Sequence, residues 1–185
     1  MLILASGSPR RRELLQLITP DFEVAPSEID ERAVSAPTPR ALVAALAEAK
    51  ARAAAARPGD VVLGCDTVVD LDGRVLGKPA DRAGAEAMLR AYSGRWHYVH
   101  TGVCALKDGL AHGFVETSKV FFAPLEEDEI AAYAATGEPY DKAGAYAIQG
   151  GAARFVTRVE GCYFNVMGLP VSSLYQLLRR LDALG

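Results

Sequence analysis

With 185 residues, 50% hydrophobic and 23% charged, the chain has the composition of a globular protein, which excludes disorder, collagen-like repeats and coiled coil. Its net charge of −3 argues against a broad basic face that coats long nucleic acid, and no apolar stretch nears the ~18 residues of a membrane span. Three scattered cysteines without a Cys-x-x-Cys pair fit a reducing compartment, so a cytoplasmic protein of one domain, residues 1–185, is expected.

The apolar run 2–5 reads as a buried strand, followed by the tight loop Ser6-Gly7-Ser8 and a helix from Pro9 that shows Leu14, Leu15 and Ile18 on one face. Strand, loop and helix in this order present backbone N–H groups to anions. An edge strand at 22–24 precedes an exposed loop over 26–39, with three prolines and the carboxylates of Glu28, Asp30 and Glu31. Thr38-Pro39 caps a long helix running to about Arg57, with Lys50, Arg52 and Arg57 on its polar edge. Residues 61–69 form the most hydrophobic run of the chain, a central strand buried on both faces and interrupted by Asp66. Asp72-Gly73 turns this strand into a short partner that ends at Gly77-Lys78-Pro79. A helix capped by Asp81 runs to about Tyr92, and Asp108-Gly109 joins two long antiparallel strands, 96–106 and 110–122. A helix over 127–135, a Gly- and Ala-rich stretch over 141–153, a strand over 155–159 and a helix from Pro170 to about Leu181 complete a mixed α/β order.

Two places stand out chemically. The segment from Ser6 to Arg12 places hydroxyls and guanidinium groups ahead of a helix, which reads either as a phosphate cradle or as a turn with a solvated basic helix start. It lacks the glycine and lysine order of a P-loop. Asp66 inside an apolar strand requires a partner, a cation or a position at a pocket. Its alternatives are a metal-binding or proton-transferring carboxylate, or a buried one satisfied by backbone N–H groups. Glu31, Lys50, Lys78 and Gln149 read singly as surface polar residues and gain meaning only if the fold gathers them around Asp66. His97, His100 and His112 show no metal-ligand spacing and read as structural or surface groups, and no nucleophile signature is present.

Seven ordered segments together resemble the Maf family of nucleoside triphosphate pyrophosphatases over nearly the whole chain. They are residues 4–15 (Leu-Ala-Ser-Gly-Ser-Pro-Arg-Arg-Arg-Glu-Leu-Leu), Ile29-Asp30-Glu31, Ala49-Lys50-Ala51, Gly64-Cys65-Asp66-Thr67-Val68-Val69, Gly77-Lys78-Pro79, residues 141–150 (Asp-Lys-Ala-Gly-Ala-Tyr-Ala-Ile-Gln-Gly) and Val166-Met167-Gly168-Leu169-Pro170. The resemblance implies an elongated, mixed-sheet, two-lobed single domain of the inosine triphosphate pyrophosphatase-like fold, with its site in a cleft between the lobes. It implies cleavage of a nucleoside triphosphate between the α- and β-phosphates, aided by a divalent cation, Mg2+ or Mn2+. Asp66 matches the family's proton acceptor, and Ser8, Arg11, Glu31, Lys50 and Lys78 match other site positions.

On that resemblance Lys50 and Lys78 act with Asp66 in catalysis, and Glu31 and Asp66 hold the metal, the roles of Asp66 as base and as ligand being alternatives. Three positions track base preference in the family, and here they are Arg10, Thr67 and Gln149, as in the branch acting on dTTP and UTP rather than 7-methyl-GTP. The expected partners are the triphosphate and a second copy of the chain, with no long nucleic acid and no membrane. The family's association with inhibition of septum formation implies the alternative of a nucleotide-binding regulator of cell division.

Overall fold

The opening apolar run forms strand β1 (Leu2–Leu4), and Pro9–Gln16 forms helix α1, with Ser8 as its cap and Pro9 in the first turn, where a missing N–H costs nothing. A computed structural model describes residues 1–184 of the chain. After a short β2 (Glu23–Val24) come helix α2 (Pro39–Ala53), strand β3 (Val61–Leu71), β4 (Arg74–Leu76), helix α3 (Arg82–Tyr92), β5 (Trp96–Lys107) and β6 (Leu110–Phe122). Helix α4 (Glu127–Ala134), β7 (Val156–Glu160), the short helix α5 (Tyr163–Met167) and helix α6 (Val171–Arg180) follow.

The strands pair in the order β2-β1-β3-β5-β6-β7, with β4 joined to β3 off this path. Strand β1 is parallel to β2 and β3, while β4 is antiparallel to β3 and β7 to β6. The fold is therefore α/β with a mixed sheet, as expected. Both two-residue turns foreseen at Asp-Gly pairs are present. Asp72 and Asp108 take φ of 55° and 50°, and the glycines after them 80°, the left-handed geometry that matches strand twist.

The chain divides into two compact units. The first comprises Met1–Thr67, His100–Glu116 and the chain from Phe164 on; the second comprises Val68–Val99 and Thr117–Tyr163. In the first unit, side chains alternate across the sheet. Leu2, Leu4, Val61, Leu63, Cys65, Val103 and Ala105 face Leu14 and Leu15 of α1 and Leu174, Leu177 and Leu178 of α6. Ile3, Ala5, Val62 and Cys104 face Ala47 and Ala51 of α2. Strand β3 is thus buried on both faces, as its continuous apolar run implies. Helix α2 lies directly on the strands because two glycines leave it room. A Cβ on Gly64 would stand 2.1 Å from the Ala47 carbonyl oxygen, and one on Gly102 would stand 2.2 Å from that of Val43.

The second unit centres on aromatic packing. Tyr92 of α3, His97 of β5, Phe122 of β6 and Tyr146 meet with ring centroids 4.4–5.8 Å apart. The Gly- and Ala-rich stretch forms successive 3-10 turns, Glu138–Asp141, Ala143–Ala145 and Gly151–Arg154. Gly144 (φ 76°) fits there because a Cβ would meet Val69 and the Tyr92 hydroxyl.

Three local expectations change. The helix expected to reach Arg57 ends at Ala53, since Ala54 is extended and the Asp60 carboxylate accepts from Arg57 N (2.8 Å), which folds 57–60 into a turn. The loop over 26–39 contains a 3-10 turn, Glu31–Ala33, because Asp30 caps it by accepting from Arg32 N (3.1 Å). Helix α5 was not foreseen, being too short to show a period.

Candidate active site

Asp66 and Thr67 are neighbours in β3 and point to opposite faces of the sheet. Their position lies past the last β1–β3 pair, Leu4↔Leu63, so β3 outruns β1 here and the Ser6–Ser8 loop leaves β1 at the same level. This is where parallel strands of α/β sheets expose functional groups.

On the α2 face, Asp66 is 8% exposed, and Lys50 Nζ donates to its Oδ1 at 2.6 Å. The same ammonium lies 2.7 Å from Glu31 Oε1. Helix α2 supplies Lys50 one residue before Ala51, which packs against β3, so the close approach at Gly64 positions the cation. Asp30, by capping the 3-10 turn, orients Glu31 toward it. Burial raises the Asp66 carboxyl above the usual Asp value, opposed by Lys50 and Arg11. A carboxylate shifted in this direction is a stronger base than a solvated one.

The two carboxylates expected to bind metal therefore share one ammonium. Among the described residues no group of three or more His, Cys, Asp or Glu is placed to hold a metal ion. Two hard oxygen donors fit Mg2+ or Mn2+ brought with phosphate oxygens and water, and do not form a cage of their own.

On the opposite face, Arg11 is fixed by its side-chain donors. Nε donates to the Gly168 carbonyl (3.0 Å), Nη1 to Ser6 Oγ (3.2 Å) and Nη2 to Thr67 Oγ1 (3.0 Å). Three of the five guanidinium N–H donors are thereby committed. Thr67 Oγ1 lies 2.9 Å from Thr101 Oγ1, and Thr101 donates to the Asn165 carbonyl (3.1 Å). Gly168 takes φ 115°, which favours glycine; its N–H closes the end of α5 onto Phe164 and Asn165. Ser8 Oγ accepts from Arg11 N as the helix cap (3.5 Å), and Ser8 N donates to Ser6 Oγ (3.3 Å). Arg10 lies half-buried in the first turn of α1, while Arg12 is exposed.

The first unit contains Ser8, Arg10, Arg11, Glu31, Lys50, Asp66 and Thr67, with Glu31, Lys50 and Asp66 in contact on one face of the sheet and Ser8, Arg11 and Thr67 linked on the other. Lys78 and Gln149 belong to the second, and both are exposed. Gly77, just before Lys78, accepts from Gly144 N (3.0 Å), which ties the Lys78 turn to the stretch leading to Gln149. Beyond Gln149, the Glu138 carboxylate accepts from Gly151 N (3.0 Å) and from the Tyr133 hydroxyl (2.5 Å). Sequence reasoning included Ser6 in the cradle segment and Gly168 in a family segment without giving either a role of its own, and it missed Thr101. Thr101 offered no signal, because one threonine in a strand is ordinary; the Gly-Pro spacing after α5 was the available hint for Gly168.

The model of the family described as Maf-like protein matches residues 1–181. A dTTP/UTP pyrophosphatase of Symbiobacterium thermophilum is 53% identical over 181 residues, covering 96% of this chain and 92% of that protein. Proteins of the same name from Geobacillus sp. (51% identical, 97% of each chain) and Thermococcus gammatolerans (48%, 96% and 95%) are similar over comparable spans. Among solved structures, the Ham1 proteins of Staphylococcus aureus and Coxiella burnetii share the fold, with TM-scores of 0.56 and 0.54 at 16% and 18% identity. Each comparison covers 97% of this chain and 98% of the other.

Proposed function

The chain belongs to the Maf family, and we propose on that premise that it hydrolyses dTTP and UTP to the nucleoside monophosphate and pyrophosphate, acting as one catalytic domain over residues 1–185. The observation that carries this reading is the buried Asp66 held at one oxygen by Lys50, a base placed where β3 outruns its neighbour. Relatives about half identical over nearly their full length bear the name dTTP/UTP pyrophosphatase, which supports the substrate class.

In the proposed reaction a water attacks the α-phosphorus and Asp66 accepts its proton. The new P–O bond forms as the bond to the β-phosphate bridging oxygen breaks, and pyrophosphate leaves. Lys50 holds Asp66 Oδ1 and leaves Oδ2 to take the proton. Lys78 neutralises phosphate charge, and Ser8 and Arg11 contact the substrate with the groups their internal bonds leave over. Arg10, Thr67 and Gln149 read the base. Glu31, with Asp66 in the alternative role of ligand rather than base, would hold a divalent cation carried with the triphosphate, which would supply charge neutralisation at the phosphate oxygens. The enzyme is proposed to act in the cytoplasm as a homodimer; no helix among the described residues is long and apolar enough to cross a membrane.

The test is product analysis with dTTP, UTP, CTP, GTP and 7-methyl-GTP, with Mg2+ or Mn2+ and with chelator. Monophosphate and pyrophosphate from dTTP and UTP, dependent on the metal, are expected. Tight nucleotide binding without turnover of any triphosphate would instead favour a regulatory nucleotide-binding protein.

A further inference from the structure

Gln149 is the third residue of a tight turn whose two ends lead to one carboxylate. Gly150 N donates to the Ala147 carbonyl (3.1 Å), closing the four residues 147–150, with Ala147 and Ile148 buried and Gln149 exposed. Ahead of the turn, Ala147 N donates to the Tyr133 hydroxyl (3.1 Å), whose own proton goes to Glu138 Oε2 (2.5 Å). A backbone N–H can only donate, so the direction of these two bonds is fixed. Burial and the neighbouring Glu138 push the Tyr133 hydroxyl upward, which keeps it a donor. Behind the turn, Gly151 N donates to the same carboxylate, 3.0 Å from Oε2 and 3.1 Å from Oε1.

Glu138 is itself held, since Thr136 Oγ1 accepts from its N–H (3.3 Å) and Lys142 Nζ donates to its carbonyl (2.9 Å). The carboxylate lies so close to the turn that a Cβ on Gly150 would stand 2.0 Å from Oε1, which only glycine avoids. We propose that Glu138 is a positioning residue: by accepting from Tyr133 and from Gly151 it clamps both ends of the turn and fixes the direction in which Gln149 meets the nucleotide. The inference rests on the reading of Gln149 as a substrate contact, and Glu138 makes no contact of its own with the nucleotide. An unclamped turn must become ordered when substrate binds, and that cost is subtracted from binding. The clamp removes it in advance, so its loss falls on KM rather than on kcat.

The experiment measures kcat and KM for UTP in the wild type, Glu138→Ala, Glu138→Gln, Gly150→Ala, Gln149→Ala and the double variant Glu138→Ala/Gln149→Ala, with thermal melts to establish folding. Glu138→Ala should raise KM roughly fivefold at nearly constant kcat. Glu138→Gln keeps an oxygen that accepts and should recover the wild-type KM. Gly150→Ala displaces the carboxylate from the side of the turn and should match Glu138→Ala. In the Gln149→Ala background the loss of Glu138 should add less than about twofold, because the turn then has no amide to aim. Where Glu138→Ala does not fold, Gly150→Ala alone and with Gln149→Ala supplies the same cycle.

An unchanged KM in Glu138→Ala, beside a raised KM in Gln149→Ala, overturns the proposal and leaves Gln149 as a substrate contact. Effects of the two single variants that multiply in the double overturn it as well, because Glu138 then acts through the fold at large. So does a glutamine variant no better than alanine, which assigns the effect to charge. Wild-type kinetics in Gln149→Ala remove the reading on which the inference rests, and the inference with it. If the wild type releases no pyrophosphate from UTP, the enzymatic reading fails. The Kd for UTP in the same proteins then decides the clamp by the same criteria.

Discussion

Asp66 combines burial and charge, and its chemistry follows from how the two are balanced. Removing the carboxylate while keeping its shape removes the proposed base, so Asp66→Asn should lower kcat by roughly 10²–10⁴-fold with an unchanged circular dichroism spectrum. A near-normal rate would take proton transfer away from this residue. Because the carboxyl of Asp66 is raised above 3.8, the rate should climb with pH through an apparent ionisation higher than that of a solvated aspartate. A profile flat down to pH 4 would contradict it. At this scale the sequence was partly legible. Asp66 was visible because a carboxylate in an apolar strand demands an explanation, whereas Lys50 looked like any helix lysine until α2 was laid on β3. The commitment of Arg11 to internal partners was not visible, since Gly168 lies 157 residues away in the chain.

Helix α2 is the element through which packing would act on the proposed chemistry. Gly64→Ala would place a methyl 2.1 Å from the Ala47 oxygen and 2.6 Å from Ala51 N, both backbone atoms of α2 that no side-chain rotation can move. The helix must then lift, carrying Lys50 from Asp66. A destabilisation of about 3 kcal/mol is expected, with a loss of kcat larger than the change in KM; thermal melts and steady-state kinetics measure both. A variant with wild-type stability and rate would show that the close approach does not position Lys50. Elements with strong local signals were readable in advance, among them both Asp-Gly hairpins and helix α3 with its Asp81 cap accepting from Gly84 N at 2.7 Å. The early end of α2 and helix α5 were not, because a side-chain-closed turn at Asp60 and a five-residue span leave no periodic trace.

At the scale of the whole molecule, acid stability is expected to depend on a group outside the proposed chemistry. Burial holds His97 down to about 3 from 6.5; its Nε2 bonds the Tyr146 hydroxyl (2.7 Å), and its Nδ1 has no hydrogen-bond partner among the described residues. Tyr92 and Tyr146, which face it, are pushed upward by burial and stay protonated throughout the acid range. Between about pH 3 and 6.5 the unfolded chain binds a proton at this histidine that the folded chain refuses. Stability is therefore fully present above pH 6.5 and falls as pH drops, by up to roughly 4 kcal/mol. Asp66 acts in the opposite sense, since its raised carboxyl favours the folded state at acid pH. His97→Phe should flatten the acid limb of a denaturation series between pH 6.5 and 4, and an unchanged slope would show that another group controls it. The pleat of β3 carries one further consequence. The proton chemistry proposed for Asp66 and the base recognition proposed for Thr67 fall on consecutive residues, yet the sheet itself stands between their side chains as an insulating wall. On the proposed roles, substitutions around Thr67 would leave the surroundings of Asp66 untouched, so one backbone would serve several nucleotides while its hydrolytic step stays constant.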